Sequence, residues 1–115
     1  MKGSEKQIKW AETIKAGKDF SQWLGKGKDD AANAVLAKAV AFIEGIDAAV
    51  FWIENRDRTE QKIVTDLLAG RLQPKGWQHD QKAKIDMTTG VITLTETVIV
   101  SDGRGGHKET KVTTL

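Results

Sequence analysis

Cysteine is absent from this sequence, so no disulfide, thiolate nucleophile or sulfur-ligated zinc is available to it. A chain built without thiols suits the reducing cytoplasm. Histidine is nearly as scarce, with only His79 and His107, and neither has a second ligand at metal spacing. Acid–base catalysis needs groups of opposite roles brought together. The one pairing available on paper sets His79 against Asp80 or Asp86 as base and orienter, beside a turn where surface histidines are ordinary. No run of about 18 uncharged apolar residues occurs, and the polar start Met1-Lys2-Gly3-Ser4 lacks the apolar stretch of a signal peptide. These shortages point away from enzymatic, metal-dependent, cofactor-dependent and membrane-spanning functions, and towards binding.

What the chain does contain is enough for a core. Hydrophobic residues make up 39% and charged residues 30% of 115 positions, with four Trp and three Phe, too apolar a balance for a disordered chain. One domain over 1–115 is expected, with a helical half at 1–72 and a β-meander half at 77–115. The net charge of +2 demands no polyanionic partner. Residues 1–28 nevertheless hold seven lysines against Glu5, Glu12 and Asp19, an excess of the kind a solvated helix face also shows.

Ser4-Glu5-Lys6-Gln7 reads as a capping box that opens a helix over about 5–16, with Ile8, Trp10, Ala11 and Ile14 inward and Gly17 as its stop. Phe20, Trp23 and Leu24 precede a flexible Gly25-Lys26-Gly27-Lys28 link. Asp29 or Asp30 then caps a long central helix over about 30–56, carrying the stripe Val35, Ala39, Phe42, Ile46, Val50 and Ile53. Gly45 and Asp47 mark a kink or break within it. A second capping box at Asp57–Glu60 starts a helix over about 58–69, with Ile63, Val64, Leu67 and Leu68 inward and Gly70 at its end. After Pro74 the composition turns to Thr, Val and Ile. Strands are expected at about 82–87, 91–100 and 107–114, joined by a turn needing positive φ at Gly90 and a Gly-rich loop at 101–106. Helices first and an antiparallel meander afterwards make an α+β fold, with the helices on one face of the sheet.

Three surfaces compete as binding sites. The Gly103–Lys108 stretch is a pliable cationic finger with Arg104 as its charged tip, although it joins strands rather than opening a helix as a phosphate loop would. Arg56, Arg58, Arg71 and Lys75 border the third helix and would form a basic patch if that helix packs antiparallel to the central one. The back of the central helix shows Ala34, Ala41, Gly45, Ala48 and Trp52 where charge is expected. It should be covered by the first or third helix, or else by a partner or second copy.

Two segments, Gly3-Ser4-Glu5-Lys6-Gln7-Ile8-Lys9-Trp10-Ala11-Glu12 and Ile46-Asp47-Ala48-Ala49-Val50-Phe51-Trp52-Ile53-Glu54-Asn55-Arg56, resemble a loose family of small proteins encoded by bacteriophages and integrated mobile elements, chiefly of Gram-positive bacteria. The resemblance covers the helical half and implies a context in which small proteins inhibit host defence, including anti-CRISPR proteins, or bind nucleic acid. It carries no functional residues. The leading expectation is a non-enzymatic inhibitor that occludes a host nuclease complex such as a CRISPR effector, with Arg56, Arg58, Arg71, Arg104 and Lys108 as contacts, since Arg is enriched at interfaces. Direct nucleic-acid binding and a structural homodimer formed through the Ala34–Trp52 face are the alternatives.

Overall fold

The computed structural model describes all residues, 1–115. Four α-helices, α1 (Glu5–Ala16), α2 (Asp30–Glu44), α3 (Ala49–Glu54) and α4 (Glu60–Ala69), precede three strands, β1 (Gln81–Ile85), β2 (Ile92–Val100) and β3 (His107–Thr114). A 3-10 turn at Ser21–Trp23 links α1 to α2. The strands form one antiparallel sheet in the order β1-β2-β3, so the fold is α+β.

The local signals act as their chemistry dictates. Gln7 N–H donates to the Ser4 hydroxyl at 3.2 Å, and Ser4 N–H donates to the Gln7 side chain at 3.0 Å, which completes the capping box of α1. Asp29 caps α2 by accepting from Ala32 N–H. Helix α4 begins two residues later than expected because Thr59, rather than Asp57, supplies the cap to Lys62 N–H at 3.2 Å. In the turn before β2, Asp86 accepts from Thr88 and Thr89, and Gly90 takes φ 74° as required. Strand β1 closes at Ile85 because of this turn, which leaves Met87 exposed outside the strand expected at 82–87.

The central helix expected over 30–56 is two helices. Gly45 caps α2, and the backbone groups a continuous helix would use are taken by the N-terminal segment. Lys2 N–H donates to Asp47 O at 2.6 Å, and Ala49 N–H donates to Lys2 O at 2.8 Å. This short parallel bridge sets the first residues beside the start of α3. At the other end the Lys18 ammonium donates to the carbonyls of Arg56 and Arg58. Helices α1 and α3 therefore run parallel, tied at both ends.

The core lies among α1, α2, α3, α4 and β1. Phe51 and Trp52 are fully buried and meet edge to face at 5.1 Å, Phe20 packs on Trp52 from the other side, and Ile43, Ile63, Leu67, Ala83 and Ile85 complete the interior. Trp52 N–H donates to Ile46 O at 3.1 Å, so its polar atom is satisfied in the interior. Splitting the helix is what turns Trp52 inward. The break also overturns the expected covering of the small-residue band: Ala34, Ala41 and Gly45 are exposed, opposite the buried side of α2, and neither α1 nor α4 lies over them.

The helices pack mainly on β1, with α4 against it, whereas β2 and β3 continue outward as a two-stranded arm. Every residue of β3 is exposed. The molecule measures 52 × 37 × 19 Å with a radius of gyration of 15.7 Å, larger than the roughly 13 Å of a compact chain this long. The arm accounts for the excess.

Candidate functional site

Helix α3 has only six residues, and its sides differ sharply. Ala49, Phe51 and Trp52 are buried, while Val50, Ile53 and Glu54 are half-buried on the opposite side. That side is flanked by α1 and by the segment 74–79. On the α1 flank stands Trp10, 49% exposed, with the Arg56 guanidinium 5.3 Å above its ring. On the other stands Trp77, 56% exposed, whose backbone N–H donates to Glu54 Oε1 at 2.9 Å. Gly76 makes this approach possible. Its φ is 96°, and a Cβ there would lie 2.9 Å from both Glu54 Oε1 and Val50 Cγ1, so the chain can hug α3 only with glycine.

Between the same flanks, at the bend from α2 to α3, a cleft of about 810 Å³ opens. Its floor is apolar, made by Ala41, Phe42, Ala48, Val50 and Leu94, and Lys2, Lys75 and His79 stand around it. Lys75 lies 3.8 Å from Glu96, and Asp47 is held by the amino group of Met1 at 3.2 Å, so Lys2, His79 and Gln81 are the cleft's unpaired polar side chains. On the far side of the bend a second depression of about 630 Å³ is lined by charges of both signs, Glu12, Glu44 and Asp47 against Lys15, Lys18 and the Met1 amino group.

Trp10 is a correction to the expected core. Ala11 is buried and Ile8 and Ile14 are half-buried, but Trp10 lies about 100° around the helix from Ala11. This places it at the edge of the α1–α3 contact, where Arg56 covers only one side of its ring.

The five expected contact residues are spread over the molecule. Arg56 belongs to the face described above and also donates to Ile53 O at 2.7 Å. Arg58 is half-buried in a 2.6 Å ion pair with Asp66. Arg71 is exposed just past α4, with its backbone N–H on Asp66 O. With Arg56 beside Asp57 and Lys75 beside Glu96, each at 3.8 Å, the expected basic patch is divided, and three of its four cations already have carboxylate partners. Arg104 and Lys108 lie at the tip of the arm. There Asp102 accepts from the N–H groups of Arg104 and Gly106 and faces the His107 ring at 3.2 Å, while the other ring nitrogen lies 2.9 Å from Glu109. The Arg104 amide, then His107 and the Gly106 amide, hold the Asp102 carboxyl below the ordinary carboxylate range. His79 pairs with neither Asp80 nor Asp86. The Asp86 carboxylate is engaged in its own turn, where the Thr89 and Thr88 amides lower its pKa.

One further surface was not legible in the sequence. The strand register sets Lys82, Lys84, Thr93, Thr95, Thr97, Ile99, Lys108, Thr110, Val112 and Thr114 on the side of the sheet away from the helices. Within the strands it holds three lysines and no carboxylate, and Asp86 stands beside Lys84 at the end of β1. Alternation within each strand was readable, but which cations share a face depends on the pairing of all three.

Comparison with protein-family profiles, curated proteins and solved structures finds no match.

Proposed function

We propose that this protein works without catalysis, by docking on another protein through the face made of Trp10, Arg56, Trp77 and the adjoining cleft. The observation that carries the reading is the pair of half-exposed tryptophans flanking α3, one of them stacked with an arginine. Trp and Arg dominate the energetic centres of protein interfaces because they offer wide, rigid apolar area with a polar handle. The apolar floor of the cleft supplies a pocket for an anchoring side chain of the partner, and its polar rim supplies orientation.

The motif resemblance to phage and mobile-element proteins directs the choice of partner to a host defence nuclease complex, a CRISPR effector among them, whose nucleic-acid path the bound protein would occlude. The test is inhibition of cleavage by such a complex, with Trp10→Ala and Trp77→Ala compared with the unaltered protein. Both side chains are half outside the core, so the variants should fold, as circular dichroism would verify. Each substitution should weaken inhibition at least about tenfold, the effect of losing a hot-spot residue. Undiminished inhibition by both variants would refute the docking face, and no inhibition of any such complex by the unaltered protein would refute the assignment of partner.

A second reading is favoured by the three-lysine outer face of the sheet, which suits the phosphate backbone of a nucleic acid. Retention on DNA or RNA should then fall steeply between low and physiological salt, because each neutralised phosphate releases counterions. An absence of retention at low salt eliminates this reading.

A further inference from the structure

The two edges of the sheet are treated differently. Along β1, Leu72 pairs with Ala83, the Ala83 N–H donating to Leu72 O at 2.7 Å, and Leu72 is buried. Along β3 nothing lies, although eight residues of regular strand end in solvent there. An open edge of this length presents unpaired N–H and C=O groups ready to bond another strand.

The hydrogen-bond phase shows which residues carry those groups. Leu115 N–H donates to Ile92 O, and β2 pairs with β3 in the register Leu94↔Thr113, Glu96↔Lys111, Val98↔Glu109 and Val100↔His107. Bonds in an antiparallel pair alternate, so His107, Glu109, Lys111 and Thr113 face β2 with their backbone groups. Lys108, Thr110, Val112 and Thr114 direct theirs to the free edge. Thr97 N–H donating to Asp80 O on the β1 side agrees with the same phase.

A second copy meeting this edge across a two-fold axis can do so only in registers that bring these outward-facing residues together. Centring the axis on Glu109 sets Glu109 against itself, and centring it on Lys111 sets Lys111 against itself; each repels. Centring it on Thr110 places Glu109 opposite Lys111 of the second copy and Lys111 opposite its Glu109. Both are non-hydrogen-bonded positions, where facing side chains come closest. The ladder would contain Thr110 against Thr110 and Lys108 against Val112 twice, about six hydrogen bonds at two per pair. On that face the charges alternate along one row: Lys75 beside Glu96, Glu96 paired with Lys111, and Lys111 facing Glu109 of the other copy. Lys111 has no ion pair within its own chain, so the second copy completes the row.

We infer that β3 is a self-pairing edge, and that two copies of this chain join along it, centred on Thr110, to form a continuous six-stranded antiparallel sheet. This surface is distinct from the Trp10–Trp77 face and lies on the arm, away from the helices. Lysine on an edge usually discourages strand addition, and here the alternation of Glu109 and Lys111 makes that discouragement register-specific: it opposes the registers centred on Glu109 and Lys111, and the register centred on Val112, which faces Lys111 with Thr113, gains no opposite-charge pair.

The test is sedimentation velocity on the intact chain and on the variants Glu109→Lys and Lys111→Glu, with folding checked by circular dichroism. The unaltered chain should dimerise with rising concentration. Glu109→Lys places Lys against Lys at both positions and Lys111→Glu places Glu against Glu, so each alone should dimerise at least about tenfold more weakly. An equimolar mixture of the two variants restores opposite charges at every facing position and should dimerise like the unaltered chain. Thr110→Pro, which removes an outward N–H that β2 does not use, should weaken pairing while leaving the hairpin intact. A monomeric unaltered chain at high concentration, a dimer indifferent to the single charge reversals, or a mixture that stays monomeric would each overturn the inference.

Discussion

The helical body with β1 and the arm of β2 and β3 are built on different principles from adjacent stretches of one chain. In the body, apolar side chains from five elements converge on Trp52 and Phe51, and the indole N–H of Trp52 is satisfied at the centre, whereas that of Trp23 at the margin is buried without a partner. In the arm, two strands pair along eight positions, yet β3 buries nothing and Ile99 is 77% exposed. Burial stabilises the first and backbone hydrogen bonds with cross-strand pairs hold the second. An isolated two-stranded ribbon is marginal in water, so the arm depends on its root, where β2 pairs with β1, and gains most from whatever lies against it. The body also provides the face proposed for a protein partner, and the arm provides the edge proposed for a second copy.

Three substitutions probe that contrast. The largest effect is expected from Trp52→Ala, which empties the centre of the body and removes the side chain against which Phe20 and Phe51 stack. It should destabilise the fold by about 3–5 kcal/mol in urea unfolding; a loss below about 1 kcal/mol would show that the body is not centred there. Ser4→Ala removes the N-cap of α1 while leaving the core intact, and about 1 kcal/mol should be lost. The smallest global effect belongs to the arm. Asp102→Ala strips the acceptor from the Arg104 and Gly106 amides, so their hydrogen exchange should quicken while the global unfolding midpoint stays in place. Acid should act likewise. Because the folded-state pKa of Asp102 is depressed by those amides and His107, the order it confers is complete above the ordinary carboxylate range. It is lost as pH falls through the lowered value. Loosening of the tip at neutral pH, or unfolding of the body together with the tip, would erase the distinction between the two regions.

Much of this organisation was legible in the residues. The Ser4–Gln7 cap, the stop at Gly70, the Gly90 turn and the β3 boundaries depend on side chains and φ preferences within a few positions. The break between α2 and α3 was signalled by Gly45 and Asp47, but its extent was not, since Lys2 takes the backbone groups from more than forty residues away. Trp10 and Trp77 look in sequence like the core tryptophan Trp52. Their exposure arises because α1 meets α3 along a narrow contact and because Gly76 brings Trp77 alongside α3. Arg58 likewise reads as a free cation until Asp66 is folded against it.

The sequence by itself determined which segments become helix and strand, where most of them start and stop, and which reactive groups are available, because those properties act over one turn or one residue pair. Only the tertiary structure decided which tryptophans face outward, which lysines share a sheet face and which strand edge stays open. Each of those depends on the register and packing of segments distant in the chain, where the energy lies in contacts that no local pattern encodes.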